Sequence, residues 1–277
     1  MSIPTPTSSY LEVGALTIHY YAICILLGIA AAILISRTRY QRAGGNPDEI
    51  NELAAYAIPA GIIGGRAYHV LTSPDAYFGA NGNPIAAFKI WEGGMGIWGA
   101  IALGSLVVWL HIRYGNYSLS FARVADILAP GLLVAQAIGR WGNWFNAELF
   151  GSPTNLPWGV SIAPADRPAV FQNFTTFHPT FLYESLWCLA IAFLLLRSKK
   201  IQSWLTPAPG QIFLAYISLY TVGRLWIEAL RIDPAHLLWG VRINIWVAIV
   251  ICATSTLILF RRRSGGAALN PDSASID

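Results

Sequence analysis

Long apolar runs separated by short polar segments dominate the chain, and seven of them approach the roughly 20 residues that a helix needs to cross a bilayer. These predicted spans are residues 16–36, 52–71, 91–111, 124–139, 180–196, 211–230 and 243–260. The second run is the weakest, because Pro59, three glycines and Arg66 interrupt it. The pattern predicts an all-α, polytopic integral membrane protein with about seven transmembrane helices.

Composition supports a membrane protein over a soluble one. Of the 277 residues, 55% are hydrophobic and 12% are charged, whereas soluble domains carry about 25% charged residues. We therefore expect one transmembrane domain over residues 1–263, with a long polar loop at about 140–178. The Gly-, Ala- and Ser-rich end, residues 264–277, is expected to be a disordered tail.

The basic residues predict an orientation for these spans. With the N-terminus outside, 11 of the 18 Lys and Arg residues fall on the cytoplasmic side, five fall on the outer side, and Arg66 and Arg224 lie within spans. This bias agrees with the positive-inside rule. It predicts an outside N-terminus, a cytoplasmic C-terminus and an outward-facing loop 140–178.

The sixth span carries charged groups along one helix face. Tyr220, Arg224, Glu228 and Arg231 are spaced by four, four and three residues, which places them within an arc of about 80°. A charge inside a membrane span is costly and usually functional. The plainer interpretation is that Glu228 only neutralises Arg224 one helical turn away.

A second group of polar residues follows the fourth span, in the sequence GRWGNWFNAELFG at 139–151. Arg140, Asn143 and Glu148 stand among glycines that allow close approach of the backbone. Arginine suits phosphate because its planar fork donates two parallel hydrogen bonds. The alternative is an interfacial loop with anchoring tryptophans and a snorkelling arginine.

Several weaker signals remain ambiguous. His178 precedes Pro179, so it is either a base or part of an ordinary helix start. Tyr21 is either functional or a member of an aromatic belt. The glycine-rich segment 91–99 is either a hinge or a close helix contact. The three cysteines lie in apolar runs without a CxxC or Cys/His cluster, so we expect no metal site.

Taken together, these segments resemble the bacterial prolipoprotein diacylglyceryl transferase family. GRWGNWFNAELFG is similar to that family's signature, and HPTFLYE at 178–184, YTVGRLWIEALR at 220–231 and HYYAI at 19–23 resemble its other motifs. GGR at 64–66 and WEGGM at 91–95 also fit. The matches occur in order and extend over nearly the whole chain.

The resemblance implies a reaction at the outer face of the bacterial cytoplasmic membrane. The diacylglyceryl group of phosphatidylglycerol passes to the lipobox cysteine of a prolipoprotein signal peptide, which forms a thioether and releases glycerol phosphate. Membrane lipid and these two substrates are the implied partners, with no cofactor and no nucleic acid. A carrier or binding protein for anionic lipids or solutes is the alternative.

The resemblance also assigns residues. The implied catalytic residues are Arg140, Arg224, Tyr21, Asn143, Glu148 and His178. The implied phosphatidylglycerol-binding residues are Arg140, Arg224, Tyr220, Asn143, Gly151 and Glu228.

One position departs from the family pattern. The family has His-Gly-Gly where this chain has Trp98-Gly99-Ala100, and the family's histidine is the expected thiol base. The proton acceptor is therefore left open here. His178, His19 and Glu148 are the candidates in this sequence.

Overall fold

A computed structural model describes residues 2–14, 16–79, 82–205 and 208–267. These residues group into two compact units, one within 1–35 and 125–277 and the other within 36–124. The single domain over 1–263 stays a prediction. Of the expected tail, Ser264–Ala267 continues the last helix, and residues 268–277 lie outside the described part.

Nine α-helices occur among the described residues, and seven of them have 18 residues or more. They are α1 (Tyr20–Arg42), α2 (Asp48–Thr72), α3 (Asp75–Phe78), α4 (Ile97–Tyr114), α5 (Phe121–Phe145), α6 (Thr180–Arg197), α7 (Lys199–Leu205), α8 (Gln211–Leu230) and α9 (Ile243–Ala267). Six helices in the described ranges are long and apolar enough to cross a membrane, namely α1, α4, α5, α6, α8 and α9. The all-α membrane fold is thus confirmed, whereas the seven-span count and the orientation stay predictions.

Several helix ends differ from the predicted spans, and three of them lie next to residues singled out in the sequence. Helix α1 begins at Tyr20 because Leu16–His19 (β3) pairs antiparallel with Tyr10–Val13 (β2) instead. Helix α4 begins only at Ile97, since Gly93 and Gly94 have positive φ angles that a right-handed helix does not allow. Helix α5 continues to Phe145, so the loop predicted from residue 140 starts six residues later.

Close helix contacts in the first unit depend on glycine. A Cβ on Gly28 of α1 would lie 3.0 Å from the carbonyl oxygen of Ala135 in α5. In the same way the Trp187 ring of α6 lies over Gly223 of α8, and its Nε1 donates to the Leu219 carbonyl at 2.9 Å. The contact of Trp187 with Gly223 brings α6 and α8 together beside a hydrophobic core that includes Leu133, Cys188 and Ile191.

The segment between α5 and α6 folds into a small sheet. Strand β4 (Val160–Ser161) pairs parallel with β1 (Ile3–Pro4) and antiparallel with β5 (Thr176–Phe177). A further bridge joins Gly151 to Arg231, just after α8. A second hairpin, β6 (Leu237–Leu238) and β7 (Val241–Arg242), connects α8 to α9.

In the second unit, α2 packs against α4. A Cβ on Gly64 or Gly99 would overlap the other residue's carbonyl oxygen, which supports the close-contact interpretation of Gly99. Arg66 is 7% exposed. It donates to the carbonyl oxygens of four residues in the segment that precedes α4, which are Ala86, Ala87, Gly93 and Gly94. The GGR motif therefore joins two helices and fixes the connecting segment.

Candidate active site

The polar face predicted on α8 exists and points at a carboxylate of α6. The Tyr220 hydroxyl donates to Glu184 Oε1 at 2.9 Å, and Arg224 Nη1 donates to Glu184 Oε2 at 3.0 Å. Arg224 Nη2 also pairs with Glu228, four residues further along the helix. The pairing of Arg224 with Glu228 is therefore only part of a larger network.

Arg140 reaches the same carboxylate from α5. Its Nη2 lies 2.8 Å from Glu184 Oε1, and the Glu184 side chain is only 4% exposed. Because α5 runs past residue 140, the arginine projects from a rigid helical turn and not from a loop. Two guanidinium groups from different helices thus converge on one buried carboxylate, which is a fixed, charge-assisted arrangement.

Glu184 itself was not among the predicted site residues. It is the only charged residue within the fifth predicted span, and a carboxylate at that depth needs cationic or polar partners. This single charge in an otherwise uncharged span was the sequence signal that could have identified Glu184 as a site residue. Its partners lie 36–44 positions away in sequence, so helix periodicity alone could not identify them.

Asn143 and Glu148 extend the network beyond Arg140. Asn143 Oδ1 accepts from Arg140 Nη1 at 3.3 Å, and Asn143 Nδ2 donates to Glu148 Oε1 at 2.8 Å. Asn146 donates to the same oxygen at 3.3 Å. The chain turns sharply here, with Ala147 and Leu149 at φ of 50° and 57°. The signature residues thus orient the Arg140 fork through hydrogen bonds.

Gly151 has a backbone role. Its N–H donates to the His178 carbonyl at 2.9 Å, and a Cβ would lie 2.8 Å from His178 Cβ and 3.0 Å from the Leu230 carbonyl oxygen. A side chain would therefore separate the end of α8 from the start of α6. Gly151 lets the two segments that carry the charged residues meet.

The two predicted histidine candidates lie in different settings. His178 Nδ1 is 3.1 Å from the Tyr183 hydroxyl, and burial lowers the pKa of His178 below its usual value. The neutral form of this ring is thus favoured. His19 lies in β3, where its ring contacts that of Tyr10 edge to face at a centroid distance of 5.9 Å.

Tyr21 stands on the first turn of α1. Its ring lies against Gly142, where a Cβ would be 2.5 Å from Tyr21 Cδ2. The residue next to Gly142 is Asn143, the amide that holds Arg140. Tyr21 is 38% exposed, so it stands outside the buried charge network.

A second cluster surrounds Glu228, whose side chain is fully buried. Besides Arg224, its carboxylate accepts from Arg242 Nε at 2.9 Å, Asn244 Nδ2 at 3.0 Å and Arg231 Nη1 at 3.5 Å. Sequence reasoning missed both Arg242 and Asn244.

Asp233 completes this cluster by binding two arginines. It accepts from Arg231 Nε at 2.7 Å and Nη2 at 2.9 Å, and from Arg242 Nη2 at 2.9 Å. Burial alone would raise the pKa of Asp233, but the hydrogen bonds and charges of Arg231 and Arg242 outweigh it and lower that pKa. Asp233 is therefore a stable anion at neutral pH.

A small cavity opens onto this charged region. The residues that line it are Arg140, Asn143, Leu149, Thr180, Phe181, Glu184 and Arg231. Its lining combines two guanidinium groups, an amide and the Glu184 carboxylate with an apolar wall. Within the described residues, no group of three or more His, Cys, Asp or Glu is placed to hold a metal.

Comparison with known proteins identifies the family of the chain. The family model described as prolipoprotein diacylglyceryl transferase matches residues 8–261. The chain belongs to this family. A relative from Cutibacterium acnes, named phosphatidylglycerol–prolipoprotein diacylglyceryl transferase, is 50% identical over 96% of this chain and 88% of its own length.

Two further relatives bear the same enzyme name. The protein from Streptomyces coelicolor is 45% identical over 95% of this chain and 82% of its own length. The protein from Bifidobacterium adolescentis is 47% identical over 90% of this chain and 76% of its own length. The likeness therefore covers the helices that carry Arg140, Glu184 and Arg224.

Within this family context, Trp98 remains a departure from the expected pattern. It lies in the first turn of α4, in the second unit, and is 46% exposed. An indole has an N–H donor and no basic nitrogen at neutral pH. Trp98 therefore has no means of accepting a thiol proton.

Proposed function

We propose that the protein transfers the sn-1,2-diacylglyceryl group of phosphatidylglycerol to the lipobox cysteine of a prolipoprotein. Family membership and the names of the full-length relatives support this reaction. The structural observation that carries the proposal is the convergence of Arg140 and Arg224 on one buried carboxylate. This geometry holds two guanidinium groups close enough to contact a single phosphate.

The lipid phosphate displaces the Glu184 carboxylate from Arg140 and Arg224. In the structure, that carboxylate accepts from both arginines at 2.8 and 3.0 Å, much as two phosphate oxygens would. An incoming phosphodiester offers the same charge and a similar span of acceptor oxygens. Arg140 and Arg224 then bind the headgroup phosphate. Asn143 keeps the guanidinium group of Arg140 in its orientation, and Glu228 keeps that of Arg224.

The reaction is a displacement at carbon. The cysteine sulfur attacks the glycerol carbon that bears the phosphate, an S–C bond forms, and the C–O bond breaks with its electron pair going to the phosphate oxygen. The leaving glycerol phosphate thus gains negative charge during the step. Fixed guanidinium groups in a poorly solvated site stabilise such developing charge strongly.

The same positive field assists the nucleophile. A free thiol has a pKa near 8.5, and nearby arginines lower the pKa of thiols. The thiol proton passes to a neighbouring base or to water. His178 suits this role chemically, because its favoured neutral form has a nitrogen able to accept a proton, and Glu148 is the second candidate.

The distribution of Lys and Arg residues supports one orientation of the protein in the membrane. Eleven of the 18 Lys and Arg residues fall on one side of the predicted spans, which supports a cytoplasmic C-terminus and an outside N-terminus. With this orientation the enzyme lies in the bacterial cytoplasmic membrane, and Arg140, Gly151 and the small sheet face outward. A lipobox cysteine at the outer end of a signal peptide is then within reach of the site.

A turnover assay tests this function. Purified protein is mixed with phosphatidylglycerol vesicles and a peptide that contains a lipobox cysteine, and the peptide mass is measured. We expect a gain of one diacylglyceryl group, which should be lost with a Cys→Ser peptide. A protein that binds phosphatidylglycerol yet leaves the peptide mass unchanged is a carrier, and that result refutes the enzyme.

A further inference from the structure

The hairpin that connects α8 to α9 places an arginine against the site from outside the family motifs. Trp239 and Gly240 form its two-residue turn, with φ of 52° and 74°, which is the geometry of a tight hairpin turn. Trp246 Nε1 donates to the Leu238 carbonyl at 3.1 Å and fastens the hairpin to α9. Arg242, at the end of the second strand, therefore has a fixed backbone position.

All three guanidinium nitrogens of Arg242 have partners. Nε donates to Glu228 Oε1 at 2.9 Å, Nη2 to Asp233 Oδ2 at 2.9 Å, and Nη1 to the Asp233 carbonyl at 2.7 Å. The Arg242 side chain is 13% exposed and Glu228 is fully buried. Arg242 thus joins two carboxylates in a geometry that only a planar fork can satisfy.

Arg242 and Arg224 bind opposite oxygens of the same carboxylate. Arg242 takes Glu228 Oε1, whereas Arg224 Nη2 takes Oε2. The Glu228 plane, and with it the orientation of Arg224, depends on the partner on the other side. Without Arg242, the buried charge of Glu228 would be balanced mainly by Arg224 and Arg231, which would draw Arg224 away from the substrate.

We propose that Arg242 is a positioning residue for diacylglyceryl transfer, acting through Glu228 on Arg224. This inference rests on the proposed function. Because Arg242 acts on the geometry of a charge-stabilising group, its loss should lower kcat more than it raises KM for phosphatidylglycerol. A displacement of about 1 Å in a reacting group can cost about 10²-fold in rate.

The test compares variants of the purified full-length protein in the thioether assay. Arg242→Lys keeps the charge and loses the fork, and Arg242→Gln loses both. Arg242→Gln/Asp233→Asn restores the charge balance without the fork. Arg37→Gln, which breaks the exposed Arg37–Asp48 pair at 3.2 Å, is the matched control. Thermal unfolding and the folded fraction are measured for each variant.

We expect kcat per folded molecule to fall by about tenfold to 10²-fold in all three Arg242 variants, with KM changed less than about threefold and the control unchanged. Recovery in the double variant would overturn the proposal, since charge balance alone would then explain the effect. Near-normal kcat per folded molecule in Arg242→Lys would also overturn it. A wild-type protein that forms no thioether would instead refute the proposed function.

Discussion

The role of Glu184 leads to the sharpest prediction, because its two functions affect different kinetic constants. The carboxylate binds both Arg140 and Arg224, and in the proposed mechanism it occupies the place between them that the phosphate would take. Glu184→Gln removes the charge while keeping the size of the side chain. The amide oxygen accepts from one arginine, and the amide N–H₂ then faces the other.

The expected effects of Glu184→Gln on stability and rate follow from the burial of the Glu184 side chain. Glu184 is 3% exposed, and removal of one partner from a buried ion pair costs about 3–5 kcal/mol because a charge is left unpaired. We therefore expect a clear drop in the unfolding temperature. Misorientation of one charge-stabilising donor costs about 10²–10³-fold in kcat, so we expect a loss of at least about 10²-fold. The KM for phosphatidylglycerol should stay constant or fall, because the competing carboxylate charge is gone.

The assay is thioether formation at varied phosphatidylglycerol content in vesicles, with kcat corrected for the folded fraction. Glu184→Asp tests the length of the side chain separately from its charge, since it keeps the anion but is one methylene shorter. This variant should also lose most activity. Asp48→Asn, in an exposed ion pair, is the matched carboxylate-to-amide control and should be neutral. A Glu184→Gln protein with normal kcat and a raised KM would refute the argument.

Four further predictions address the remaining proposals. Arg140→Lys and Arg224→Lys should each lose about 10²-fold or more in thioether formation, because lysine keeps the charge but not the fork; near-normal turnover of Arg224→Lys would reduce that residue to a partner of Glu228. Single cysteines at Ser8 and Ser264, in a background without Cys24, Cys188 and Cys252, should react with an impermeant thiol reagent in intact cells only at position 8; labelling at 264 alone would reverse the topology. Trp98→Phe should cost less than about tenfold, because a general base contributes about 10²–10⁴-fold and Trp98 is not one. If His178 takes the proton, kcat should fall as the pH drops through its lowered pKa, since only the neutral ring accepts a proton. His178→Ala should abolish that pH dependence. If Trp98→Phe and His178→Ala are both active, activation of the thiol by the field of the arginines is favoured.

Features set by local periodicity were predictable from the sequence. The polar face of α8 required only the 3.6-residue repeat, and the structure places Tyr220, Arg224 and Glu228 in one network as that repeat implies. The apolar runs similarly gave the approximate positions of six membrane-length helices.

The C-terminal end of α5 was less predictable, because the residue types of the signature favour a loop where the helix in fact continues. Glycines at 139 and 142 and tryptophans at 141 and 144 are typical of an interfacial loop, so the predicted span ends at Gly139. In the structure Gly142 is helical and accommodates the Tyr21 ring. Tertiary contact with α1 thus explains a residue that local propensity assigns to a loop.

Partners distant in sequence were beyond pattern reasoning. Glu184 meets Arg224 only because α6 packs on α8 through Gly223 and Trp187. Arg242 meets Glu228 only because the hairpin after α8 turns tightly at Trp239. In both cases the contact depends on the geometry of a helix packing or a turn, which a single sequence does not specify.

The hydrogen bonds of the ion network also indicate how a substrate can enter it. Buried ionic networks are stable only when their members are well satisfied, and here the forks of Arg140 and Arg224 are both occupied: Arg140 by Asn143 and Glu184, Arg224 by Glu184 and Glu228. A phosphate that binds as proposed would therefore have to replace an acceptor. Glu228 is fully buried and held by Arg242 and Asn244 as well, whereas Glu184 lines the cavity. In the proposed mechanism, exchange at Glu184 would leave the Glu228 cluster intact, so the same buried charges that hold the helices together would also keep Arg224 oriented while the headgroup binds.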